Sequence, residues 1–336
     1  VPASTPRPAP RTSGRGTGLA LALVSAATFG TSGAFGSALI EAGWTPGAAV
    51  TARITLAALV LTPVALVQLR GRWGLLARAR GMVIAYGLVA IAGCQLAYFS
   101  ALEHVSVGVA LLLEYLGSIL VVGWLWLRHG QRPRRLTVAG AAAAVAGLVL
   151  VLDLTGAQRV TLPGLLWGLG AAVGLAMYFL LSSRDEAPLP PLVLAWGGMC
   201  VGALALVLLA VGGLLPVRAP LVDVVLFGAQ VSWLVPVLCL SLVAAVIAYA
   251  AGIGAARRLG AKVASFVGLT EVLFAVLFAW VLLGQAPAAV QFAGGALIVA
   301  GVALVRIDEL RAPVAVPTAA PAAAPDLPLP AARETA

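Results

Sequence analysis

Three ionisable residues stand inside segments that otherwise hold none. Glu114 lies within LLLEYLGSILVVGW, Glu271 within VGLTEVLFAV, and Arg53 within the apolar run that begins at Pro46. A charge at the centre of a membrane helix costs about 2.5 to 3.5 kcal/mol on insertion scales. Each Leu, Ile or Val returns about 0.3 to 0.6 kcal/mol, so these runs still favour insertion and the charges are tolerated at a cost. Ionisable groups at that depth mark solute or ion pathways. Removing a carboxylate from water favours its neutral form, so Glu114 and Glu271 are candidates for proton exchange as well as for binding a solute. The guanidinium of Arg53 could grip a solute carboxylate with two donors or pair with Glu114 or Glu271. The bland alternatives are a protonated glutamate linking two helices, worth about 0.6 kcal/mol, and an Arg53 that snorkels to the membrane surface. Gln95, Tyr98, Tyr115 and Tyr249 offer polar edges near the same layer. Each reads first as packing or an interhelical hydrogen bond, and second as pore lining.

The elements that hold these residues follow from composition. Of 336 residues, 62% are hydrophobic and only 10% are charged, and the mean hydropathy is +1.06. That much apolar surface does not fit inside a water-soluble fold, so the chain reads as a multi-pass membrane protein. Its net charge of +9 is spread in small groups between apolar runs, which makes it a topology signal and not a nucleic-acid footprint. The cysteines Cys94, Cys200 and Cys239 are single, and His104 and His129 fall in connections, so neither a disulfide framework nor a metal cluster is expected. The expected set has no catalytic residue, no metal and no cofactor.

About ten apolar runs of roughly 17 to 25 residues, the length that spans a bilayer as helix, lie near Gly18–Ile40, Pro46–Gln68, Gly81–Leu102, Val107–Leu127, Leu136–Leu152, Leu162–Ser182, Pro191–Val211, Ser232–Gly252, Ala264–Leu283 and Ala288–Val305. Pro46, Pro163 and Pro287 sit at helix starts, where a missing N–H is harmless; Pro63 and Pro236 are expected to kink their helices. With the N-terminus in the cytoplasm, every Lys and Arg falls on the cytoplasmic side except Arg159, Arg218 and the intramembrane Arg53. The positive-inside rule then places both termini in the cytoplasm. Trp44, Trp233 and Trp280 near outer ends, and Trp73 and Trp126 near inner ends, suit interfacial belts. Residues 1–17 and 307–336 are Pro/Ala-rich and read as disordered cytoplasmic tails.

A repeat organises the rest. LTVAGAAAAVAGLVLV, from Leu136, aligns without gaps with VQFAGGALIVAGVALV, from Val290, pairing Gly140 with Gly294 and Gly147 with Gly301. The preceding helices each carry one glutamate near mid-depth. Residues 18–153 and 162–306 therefore read as two five-helix repeats joined by an outer linker, 154–161. Five is odd, so the second repeat enters the membrane inverted, the architecture of many secondary transporters, whose solute site lies where the halves meet. The expected fold is an all-α integral membrane protein with ten transmembrane helices as two inverted five-helix repeats. The glycines of GLLWGLGAAVG, Gly164 to Gly174, follow no strand and read as close helix packing, not as a dinucleotide motif. Gly30, Gly33 and Gly36 read the same way.

The run AYFSALEHVSVGVALLLEY with LRHGQRPRRLTVAGAAAAVAGLVLV, and the run ASFVGLTEVLFAVLFAWVLLGQAPAAVQFAGGALIVAGVALV, resemble the two signature regions of the EamA branch of the drug/metabolite transporter superfamily. The resemblance covers about Gly18 to Arg306. It implies a ten-helix secondary transporter of the bacterial inner membrane that moves small metabolites, often outward. Three positions depart from the family pattern: Val272 follows the ninth-helix glutamate where a proline is common, Ser118 takes the corresponding place in the fourth helix, and Gln285 replaces the glutamate of an LLGE ending. The first two remove expected helix breaks beside Glu114 and Glu271.

Two function classes follow. One is a metabolite exporter working by alternating access, with protons as the coupling ion, an amino acid or relative as solute, and a monomer or homodimer as the unit. The other is a membrane-embedded enzyme acting on lipid or peptide, which would need convergent acids, a nucleophile with its base, or metal ligands. The remaining acidic pairs, Asp185 with Glu186 and Asp308 with Glu309, read as solvated loop charges. No G-x-x-x-x-G-K-[ST] run is present to bind a nucleotide.

Overall fold

The computed structural model of the chain describes residues 13–105, 107–151, 161–184, 189–283 and 288–311. Both expected tails and the outer linker fall largely outside them, as does the pair Asp185 and Glu186. The described residues are helical apart from one two-stranded hairpin. Helix α1 comprises Ser13–Phe29 and Ser32–Glu41, separated by a break at Gly30 and Thr31. There follow α2 (Pro46–Leu69), α3 (Arg80–Leu102), α4 (Val107–Tyr115 continued by Gly117–His129), α5 (Arg135–Val151), α6 (Leu162–Ser182), α7 (Pro191–Val211), α8 (Leu234–Gly268), α9 (Thr270–Leu283) and α10 (Ala289–Leu310). Among the described residues, eight helices are long and apolar enough to cross a membrane. The other two, α5 and α9, have 17 and 14 residues.

Local sequence explains the starts and breaks. Thr45 and Thr161 cap α2 and α6, each accepting a hydrogen bond from the amide three residues on, with Pro46 and Pro163 in the first turn. Pro63 lies inside α2, whereas α8 begins at Leu234. Pro236 therefore occupies a first turn, where its amide would lack a helical partner anyway, and kinks nothing. Gly260, at φ 77° and ψ 162°, breaks α8 in a conformation that suits glycine. Its C-terminal part leads into α9, so the expected eighth and ninth spans meet at this bend. Turns of π-helix occupy Tyr86–Gly93 in α3 and Leu242–Ile247 in α8.

The breaks beside the two glutamates survive without proline. At Leu116 the amide bonds to Leu113 O at 3.2 Å, and at Leu269 to Phe266 O at 3.1 Å, both three residues back. Each helix tightens for one turn and resumes.

The helices pair in a regular way. α1 packs on α8, α6 on α3, α2 on α7 and α5 on α10. In the last pair, Gly140 faces Gly301 and Gly147 faces Gly294, so the two helices run antiparallel. A Cβ at these four positions would lie only 2.5–2.8 Å from the carbonyl oxygen of the facing glycine, so the backbones touch. Without a hydrophobic gradient in lipid, such close packing is what holds helices together.

Three expectations change. α10 continues to Leu310, so Asp308 is not a solvated loop charge: it is 3% exposed and accepts a hydrogen bond from Thr137 Oγ1 at 2.5 Å. Glu309 pairs with Lys262 at 2.5 Å. Trp44 is no interfacial anchor, being buried against Trp233 with ring centroids 5.9 Å apart and donating to Pro220 O. The hairpin of β1 (Val224–Leu226) and β2 (Ala229–Val231) lies in the same connection between α7 and α8 and packs on the second stretch of α1.

Because even a methyl group has no room at Gly147, Gly147→Ala should lower stability by about 1–3 kcal/mol. Gly123→Ala, where nothing lies within 4 Å, should be neutral or slightly stabilising. Thermal unfolding of the two variants in detergent, followed by tryptophan fluorescence, measures the difference.

Candidate functional site

The breaks and π-turns converge on the middle of the bundle. There a cavity of about 40 Å³ is enclosed by α1, α3, α4, α6, α8 and α9, room for about three waters by a measure in which one needs about 10–15 Å³. Glu114 and Glu271 both line it, one from each half of the chain, and so do Gln95, Tyr98, Tyr115 and Tyr249. The structure thus brings six of the seven residues singled out from sequence to one cavity. The seventh, Arg53, sits behind its wall.

Arg53 is 1% exposed. Its Nη1 donates to Ser32 Oγ at 3.0 Å and to Gln95 Oε1 at 2.5 Å, and its Nη2 donates to the carbonyl of Ala244. That carbonyl belongs to the π-turn of α8, the kind of irregularity that recurs at functional sites. Its Cζ also lies 6.0 Å from the centroid of the Phe99 ring. Arg53 makes no salt bridge with either glutamate, and it does not snorkel. It joins α2 to α1, α3 and α8 through neutral acceptors.

The carboxylates meet neutral donors as well. Cys94 Sγ lies 3.6 Å from Glu114 Oε1, and Tyr115 Oη donates to Glu271 Oε2 at 2.6 Å. Gln95 Nε2 donates to Tyr249 Oη at 3.3 Å, so Gln95 relays between Arg53 and the cavity. The π-turn in α3 ends at Gly93, immediately before Cys94 and Gln95. Opposite, a Cβ at Gly174 would lie 2.4 Å from that of Cys94. The glycine helix α6 therefore serves packing, as its sequence suggests, and it also seats the thiol at the cavity.

Sequence reading missed Phe29, Cys94 and Tyr178. Phe29 and Tyr178 pack edge to face with Tyr249 at 5.1 and 5.5 Å. The Tyr178 hydroxyl is buried beside Ser25 and makes no hydrogen bond of ordinary geometry among the described residues. It rests over Gly252, where a Cβ would come within 1.8 Å of its oxygen. A second cavity of about 30 Å³ begins on the other side of this ring, shares Glu271, Tyr115, Phe29 and Tyr178 with the first, and extends along Ser25, Ala22 and Ala255. Only the break at Gly30, beside which a Cβ would meet Glu271 O at 3.0 Å, hints at Phe29 in the sequence. Tyr178 carries no signal there.

Comparison with known proteins agrees with this picture. The model of the EamA-like transporter family matches residues 16–153 and again residues 162–307. The chain belongs to the EamA-like transporter family. As a family member it is a membrane transporter-like protein, and two copies of the EamA unit account for nearly all of its helices. A solved crystal structure of a protein, 23% identical over 89% of this chain and 100% of its own, matches with a TM-score of 0.71, which speaks for the fold alone. A search of curated proteins returns no match.

Replacing Arg53 strands the acceptors on Gln95, Ser32 and Ala244 away from water, at about 1–3 kcal/mol for each group left unsatisfied. Arg53→Leu should therefore destabilise the protein by roughly 2–5 kcal/mol. Arg53→Lys should recover only part of this, because one ammonium cannot reproduce the planar fork. Detergent melting curves of both variants, at matched purity, read the difference.

Proposed function

We propose that this EamA-like protein is a secondary active transporter that exports a small metabolite by alternating access, with the central cavity as its solute site. The observation that carries the reading is the meeting of Glu114 and Glu271, one from each EamA unit, on a single cavity at the core of the bundle. Ten spans in two inverted halves complete the proposal. The antiparallel α5–α10 contact supports it, because exchanging the halves maps Gly140–Gly301 onto Gly294–Gly147. The pairs α1–α8 and α6–α3 exchange in the same way, and the π-turns of α3 and α8 fall on equivalent helices. Rocking one half against the other about a mid-depth site is the motion such an arrangement permits.

In this reading the bacterial inner membrane holds the protein with both termini in the cytoplasm, in keeping with the distribution of its arginines. Protons are the coupling ion, since either carboxyl can exchange a proton for solute. An enzyme reading finds less support: the cavity offers a thiol beside a carboxyl, with no histidine base among the described residues that line it.

The test is an untargeted comparison of intracellular and extracellular metabolites in cells producing the unmutated protein, Glu114→Gln, Glu271→Gln, or none. One small molecule should accumulate outside only with the unmutated protein, at matched membrane levels. Equal export by all three proteins would reduce both glutamates to structural roles, and conversion of a compound without net transfer would favour an enzyme.

A further inference from the structure

We propose that the central cavity takes the ammonium group of an organic cation, held between Glu114 and Glu271 and faced by the aromatic rings of its wall. The proposal rests on the solute-site reading above and names the class of solute. Its first support is the position of Arg53. An amino acid or a carboxylate is best met by a cationic donor on the wall, yet no Lys, Arg or His is among the described residues that line the cavity. The terminal nitrogens of Arg53 donate to Ser32, Gln95 and Ala244, and although its Nε has no partner among the described residues, Arg53 is not among the residues that line the cavity, so its guanidinium is not presented there to an anion.

Charge points the same way. The cavity has two carboxyls on its wall and one guanidinium behind it. The partners of the carboxyls, Cys94 and Tyr115, are neutral. With both carboxyls ionised, the group carries one negative charge in excess, and a buried charge left without compensation is unstable. A proton or a bound cation completes the site, and an anion worsens it.

The wall supplies what an ammonium needs beyond charge. Phe29, Tyr178 and Tyr249 form a mutually edge-to-face cluster, with centroids 5.1 to 6.4 Å apart, and aromatic faces attract cations that have shed their water. The Tyr178 hydroxyl is buried beside Ser25; because Ser25 donates its own hydroxyl to Ala248 O, the Tyr178 oxygen keeps a lone pair free to accept an N–H. It lies on the wall shared by both cavities, where a solute passing between them would meet it.

The closing experiment varies charge and keeps the ring. Isothermal titration of the purified full chain in detergent with 2-phenylethylamine, phenylalanine and phenylacetate presents an ammonium, a zwitterion and an anion on one phenyl group. The ammonium should bind at least about tenfold more tightly than phenylalanine, and phenylacetate should give no binding heat. Glu114→Gln and Glu271→Gln should each weaken the ammonium about tenfold or more, and Tyr178→Phe should weaken it severalfold. The charge ranking is read on the unmutated protein, so it stands even where a variant fails to fold. Equal or tighter binding of phenylalanine or phenylacetate overturns the proposal, as does the absence of ammonium binding at millimolar concentration. Counterflow in proteoliposomes separates the two readings. Ammonium binding without counterflow keeps the cation site and counts against transport, and counterflow of the anion or zwitterion alone does the reverse.

Discussion

A guanidinium in the middle of a lipid-embedded bundle must find every acceptor within the protein. Arg53 finds acceptors for its two terminal nitrogens by drawing on three helices besides its own, while its Nε has no partner among the described residues, and much of the central geometry follows from those three contacts. Ser32 must sit just past the break in α1. Gln95 must point away from lipid, which the π-turn before it achieves by rotating the rest of α3. Ala244 must lend a carbonyl from the π-turn of α8. Irregular backbone at this depth is tolerable only where protein surrounds it, and here the irregularities surround one cation. Because the terminal nitrogens of Arg53 go to neutral oxygens, the carboxylates on the neighbouring wall form no ion pair with it.

Packing elsewhere rests on the absence of side chains. In lipid, apolar residues gain little by touching one another, so helices approach where their surfaces are smallest. Gly87 against Gly198 O, Gly117 against Ala172 O and the four glycines of the α5–α10 seam are all contacts where a Cβ would lie 2.5–2.8 Å from a carbonyl oxygen. The large apolar residues face outward instead: Leu59, Leu127, Leu166 and Leu208 are each more than 60% exposed, as suits surfaces against acyl chains.

Much of this was legible in the sequence. Run lengths located most of the eight membrane-length helices to within a few residues because hydropathy against a fixed membrane thickness is a strong constraint, whereas the expected eighth span merges into one bent helix, Leu234–Gly268, and the ninth begins only at Thr270. The glutamates stood out because an ionisable residue in an apolar run has few innocent explanations. What stayed hidden was set by tertiary contact. Arg53 could have faced a solute, a glutamate or the membrane surface, because nothing in the sequence says that Ser32, Gln95 and a main-chain carbonyl will meet its terminal nitrogens. Asp308 looked solvated, because the apolar run ends five residues before α10 does and Thr137 lies far away in the chain. Tyr178 and Cys94 were silent, since an aromatic or a thiol in an apolar helix has no periodic signature of facing a cavity. The breaks at Leu116 and Leu269 came through three-residue hydrogen bonds, which no proline announces.

The glycine seam between α5 and α10 also sets an order of assembly. α5 ends at Val151 and α10 begins at Ala289, so at ordinary synthesis rates the first half waits on the order of 10 s for the helix that covers its glycines. Through that interval Gly140 and Gly147 lie uncovered in the bilayer, a groove that fits any small-faced helix that drifts past. Helix α10 is therefore the one that closes this seam, and a chain cut short before it would carry that uncovered glycine face into the membrane.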